Sequence, residues 1–210
     1  MSTQINLKEI ERKAFLSTYQ DGLWDIYYGL ILMAMAIFMF RPAGGYKPTN
    51  ILLAILAFTV AFLIFWAGKK FVILPRMGQV TFGPARKQQR RTLAIILSVV
   101  VLIQAGFLAL QLVGWANPEF GQKISSLIND RDLMHMLVAS IGALFIGPPM
   151  ILVAYFTDFS RGYYIAILMS LAVFLMILLN RPIYPILLGA MVAIPGVVLF
   201  VRFLQKYPLR

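Results

Sequence analysis

Asp25 is the acid in this chain best placed to do chemistry. It falls within Asp21-Gly-Leu-Trp-Asp25-Ile-Tyr-Tyr28, at the head of an apolar run that continues to Phe40. A carboxylate facing acyl chains is costly, so Asp25 must face protein or water, where it could hold a proton or a cation. The milder reading weighs more. An acid in a first helical turn meets the positive end of the dipole, and Trp24, Tyr27 and Tyr28 mark an interface level where a carboxylate stays wet. Arg161, at the head of a later apolar run on the same side, is a partner for Asp25 or for Asp158.

Gln104 and Gln111 stand seven residues apart, so they share a helix face. They could line a polar path, but interhelical hydrogen bonding is the commoner use of such side chains in bundles. Pro148-Pro149 and Pro195-Gly196 interrupt two further runs. Each could free carbonyls for an ion, yet each is also an ordinary membrane-helix kink. Gly142 and Gly147 permit close helix approach. His135, the single histidine, sits in Met134-His-Met136. Consecutive helical residues diverge by about 100°, so the three cannot converge on one soft metal. An interface histidine beside Asp132 is the better reading.

Catalytic patterns are missing. One histidine and no cysteine exclude HExxH sites, imidazole clusters, thiolate nucleophiles and disulfides. No G-x-S-x-G elbow, phosphate loop or dinucleotide fingerprint occurs, and no aspartate pair sits in opposing spans. No catalytic residue, metal site or cofactor is expected.

The elements that must position these residues are apolar. Hydrophobic residues make up 60% and charged residues 13%, which leaves no water-soluble domain of useful size. A bilayer core of about 30 Å takes roughly 20 apolar residues as helix. Six runs qualify: 23–40, 51–68, 93–116, 133–156, 162–179 and 183–204. Near-continuous apolarity over 51–67 excludes the alternation of a β-barrel. The expected fold is all-α, a single six-transmembrane-helix domain over 22–210. Residues 1–21 form a short cytoplasmic helix ahead of it, with Asn6 and Glu9 as a capping box. Its apolar residues divide between two faces, which fits a leader helix lying against the bundle or headgroups. No cleavable signal peptide is apparent.

The net charge of +11 would suggest nucleic acid in a soluble protein. Here orientation explains it. An N-inside arrangement leaves only Arg41, Lys47, Lys123, Arg131 and Arg181 outside, of nineteen Lys and Arg. Both termini should be cytoplasmic, in a cell membrane, with anionic lipid headgroups as partners. Nucleic acid is not an expected partner, and a homo-oligomer or protein partner stays open.

The longest loop, 69–92, contains two β-prone runs, Phe71-Val-Ile-Leu-Pro75 and Gln79-Val-Thr-Phe82, around Arg76-Met77-Gly78. A small cytoplasmic β-hairpin is the reading. Arg76, Arg86, Lys87, Arg90 and Arg91 make the same loop a basic surface for docking or for headgroups. A short outer helix is expected over 122–129. Short links elsewhere imply antiparallel neighbours. Asp21-Gly22 precedes Arg41-Pro42 by the same interval as Arg161-Gly162 precedes Arg181-Pro182. This could be a worn repeat, although glycine before and proline after a helix are generic boundary signals.

Asp21-Gly-Leu-Trp-Asp25 and Pro75-Arg-Met-Gly-Gln-Val-Thr-Phe82 resemble segments of uncharacterised multi-pass membrane proteins of bacteria and archaea. The likeness covers about the first ninety residues and implies a multi-pass fold, with no activity attached. The function expected is structural or regulatory, with the basic loop and N-terminal helix as a docking surface. A small transporter or channel subunit using Asp25, Gln104 and Gln111 is the alternative. A lipid-handling enzyme is third.

Overall fold

A computed structural model describes residues 19–39, 48–77, 84–116 and 131–208. Among them the chain is all-helical and without strands. The helices are α1 (Leu23–Met39), α2 (Pro48–Ala67), α3 (Pro84–Ala116), α4 (Arg131–Phe156), α5 (Ser160–Leu179) and α6 (Ile183–Lys206). Each lies within a few residues of an expected apolar run, except that α3 starts nine residues early. Among the described residues, five segments are long and apolar enough to cross a bilayer: Thr49–Arg76, Arg86–Phe107, Asp132–Phe156, Ser160–Leu179 and Ile183–Lys206. The protein is therefore a multi-span membrane protein. α1 is shorter, at 17 residues and about 26 Å.

The described parts of the stretch 69–92, residues 69–77 and 84–92, are helical. α2 runs on through a π-helical segment, Gly68–Ile73, and a closing α-turn, Leu74–Met77. Phe71-Val-Ile-Leu is thus helical, and the first strand of the expected hairpin does not exist. Its second run, 79–82, lies outside the described residues, as do 1–18 and 122–129, where a leader helix and an outer helix were expected. Tertiary packing overrides β-propensity here. Ile73 is buried with Leu23 and Phe203, and Arg76 donates from its Nε to the Tyr207 carbonyl at 2.9 Å. Both contacts require Phe71–Arg76 to continue the helix. The continuous 28 residues from Thr49 to Arg76 extend about 42 Å, enough to carry Lys69 to Arg76 beyond the hydrocarbon.

α1 is the centre of the bundle. It packs against α6 most extensively, then α2, then α5, while α4 pairs with α5 and α3 rests chiefly on α4. The core is correspondingly built around Leu32, Ile165, Met169, Ala172 and Val192. α1 and α6 run antiparallel and nearly touch through glycines. A Cβ at Gly29 would lie 2.7 Å from both the Ala193 Cβ and the Gly189 carbonyl oxygen; one at Gly189 would lie 2.7 Å from the Gly29 carbonyl oxygen. Seven residues away along the chain in each case, Gly22, just before α1, and Gly196 of α6 meet in the same way, with Gly22 at φ 79°. α4 and α5 approach similarly at Gly142, beside Ile177, and at Gly147, beside Ser170. Their link closes with Asp158 at φ 51°, and α5 ends on Asn180 in the left-handed conformation that stops helices.

The glycines of the suspected repeat do different jobs. Gly22 is a positive-φ residue outside its helix, whereas Gly162 lies inside α5, its missing Cβ giving room to Ala154 and Phe159.

Candidate functional site

The starts of α1, α3 and α5 and the ends of α2, α4 and α6 share one end of the bundle. Three acids there are each paired to a base from another segment. Asp21, fully buried before α1, binds the Lys69 ammonium with Oδ2, while its Oδ1 accepts the Leu23 N–H at 2.9 Å. The π-helical segment positions Lys69. Burial pushes the Asp21 carboxyl above its usual range, against the opposing pull of Lys69 and the Leu23 N–H. The Asp25 carboxylate lies 3.3 Å from Arg161 of α5, and Arg161 also donates to the Tyr19 carbonyl at 2.6 Å. Asp158 is held by Arg86 of α3 at 3.1 Å.

Asp25 is therefore not a wet interface acid, being 4% exposed. Of the two partners open to Arg161, Asp25 takes it and Asp158 goes to Arg86. The Asp25–Arg161 contact is Coulombic, because no guanidinium N–H is directed at Asp25 Oδ2.

Aromatic rings enclose these pairs. Trp24 stacks on Tyr19 at 5.6 Å and on Tyr28 at 5.7 Å and meets Phe65 at 4.5 Å between ring centres. Lys69 lies 5.9 Å from the Trp24 ring centre and 5.8 Å from that of Phe65, within cation–π range. The indole Nε1 of Trp24 is buried and has no acceptor among the described residues. A partly open groove of about 320 Å³ runs beside it, between α1, α3 and α4. Arg90, Thr157 and Phe159 stand toward its charged end; Leu97, Val153 and Tyr28 line it deeper. Burial raises the Tyr19 hydroxyl pKa, opposed by the Arg90 charge.

The remaining sequence candidates separate. Gln104 donates to the Phe145 carbonyl at 2.7 Å. Pro149 has no N–H to offer that carbonyl four residues back, so Gln104 closes the gap that the Pro148-Pro149 kink opens. Gln104 thus bonds from α3 to the backbone of α4. Gln111 lies in α3, but its side chain is outside the described residues. His135 is exposed near the start of α4, far from the ion pairs in sequence and at the other end of the bundle. Among the described residues, no three His, Asp or Glu side chains gather to hold a metal.

The basic docking set divides in two. Arg76 is spent on the Val72 and Tyr207 carbonyls and Arg86 on Asp158 and Gln89. Lys87, Arg90 and Arg91 are exposed on the first turns of α3.

Sequence reasoning passed over Asp21 and Lys69 as site residues. A signal existed: eight acids against nineteen bases means that an acid next to an apolar run is the scarce partner for which several bases compete. No family model, curated protein or solved structure matches this chain.

Proposed function

We propose that this is a six-span integral protein of the cell membrane, with both termini cytoplasmic and a structural or regulatory role. Its basic face docks the acidic surface of a cytoplasmic partner protein. The charged end is then the cytoplasmic end, as the excess of Lys and Arg there favours. Support for α1 as the sixth span comes from its ends. Asp25 lies beside Arg161 at the charged end, while Asn50, in the first turn of α2, shares an apolar groove with Arg181 at the other.

One observation carries the docking reading. Among the described residues the acids at the charged end are each held by a base, while Lys87 and Arg91 are exposed on a helix that Arg86 anchors. Such a face is preorganised, which lowers the ordering cost of association. A photo-crosslinker at exposed Gln88 should give one discrete protein adduct in native membranes. Lys87→Glu with Arg91→Glu should abolish it, and Asp25→Asn should leave it intact.

A transport reading is favoured by the buried Asp25 Oδ2, which has no hydrogen bond among the described residues at the head of an apolar helix. Ion flux into proteoliposomes that Asp25→Asn stops, and that the Lys87 and Arg91 reversals leave unchanged, would establish that reading and overturn docking.

A further inference from the structure

We propose that the groove between α1, α3 and α4 is a binding site for one anionic phospholipid of the leaflet at the charged end. The inference rests on the membrane placement proposed above and not on partner docking.

The groove is graded along its length. Arg90 and Leu97 lie seven residues apart on α3, about 10 Å along the axis, and both line it. The end of α4 repeats the order, with Thr157 just past the helix toward the charged end and Val153 one turn deeper. α1 does likewise, with Trp24 and then Tyr28. A ligand that fits must carry an anion at one end and a hydrocarbon chain at the other. A free anion uses only the Arg90 end, and a soluble acidic peptide cannot follow α3 into the apolar zone. The volume, about 320 Å³, is that of a small ligand pocket and takes part of one chain.

The second observation is the Trp24 ring, which forms part of the groove wall with Tyr19 and Tyr28. A phospholipid supplies phosphate and ester carbonyl oxygens at the depth where interfacial tryptophans sit. The Arg90 guanidinium matches phosphate in charge and in fork geometry.

The test measures phospholipid retained by protein purified in mild neutral detergent from vesicles of phosphatidylglycerol and phosphatidylcholine. Wild type should keep about one phosphatidylglycerol per chain. Arg90→Gln should lower the preference for phosphatidylglycerol about tenfold, the loss of one charge-assisted contact. Leu97→Trp, which fills the deep half, should remove both lipids, and Arg91→Gln should change nothing. Excess glycerol phosphate should not compete. As a measurement free of groove substitutions, brominated phosphatidylglycerol should quench Trp24 fluorescence in a Trp66→Phe, Trp115→Phe background more strongly than brominated phosphatidylcholine. Equal quenching by the two lipids, unchanged selectivity in Arg90→Gln, or displacement by glycerol phosphate alone would overturn the proposal. A chain that fails to float with the vesicles would instead defeat the membrane placement beneath it.

Discussion

Asp25 and Arg161 meet where water is scarce, and that sets what each substitution does. Removing one member of a buried pair strands the other charge, whereas removing both with apolar replacements of similar volume is often close to neutral. Arg161→Met should therefore cost about 3 kcal/mol of stability, a figure at the low end because the Arg161 side chain is 30% exposed. Asp25→Leu combined with Arg161→Met should cost clearly less than the two single changes summed. Chemical denaturation of the four proteins in detergent checks this, and simple additivity would mean that the contact is not a coupled pair. Asp25 was legible as a constrained residue because an acid at the head of an apolar run must be accommodated. Which base accommodates it was not legible: Arg161 could reach Asp25 or Asp158, and Arg86, from a helix remote in sequence, decided the matter.

Helix boundaries were legible because apolar length is set by the bilayer and written directly in composition. The path from Lys69 to Met77 was not. Its β-branched and aromatic residues suit a strand, but burial of Ile73 and the Arg76 contact with α6 hold it helical. Helix pairing depends on a quieter signal, the seven-residue glycine spacing of 22 with 29 and 189 with 196. Gly29→Ala should cost about 1–3 kcal/mol, since the new methyl group meets rigid backbone at 2.7 Å. Gly106→Ala provides the contrast. A Cβ there meets nothing within 4 Å, and the helix gains up to about 1 kcal/mol. Thermal melting in a single detergent should move the two variants in opposite directions; equal shifts would mean that α1 and α6 are not in close contact.

At the scale of the molecule, the alternation of helix direction makes orientation testable with single cysteines, because the chain has none of its own. Under the proposed topology, Thr49→Cys and Arg181→Cys react with an impermeant maleimide in intact cells, and Tyr207→Cys reacts only after permeabilisation. If Gln20→Cys, exposed just before α1, reacts in intact cells as Thr49→Cys does, α1 does not cross. The sequence by itself determined the solvent, the helical class and the approximate ends of the helices, because lipid leaves the backbone no other way to satisfy its hydrogen bonds. Only the tertiary structure decided that short α1 is the central helix, that α6 is its closest neighbour, and that Asp21, Asp25 and Asp158 each bind a base from another segment. Those facts depend on contacts between residues far apart in the chain, where apolar run length is silent and only glycine clearance and charge pairing discriminate.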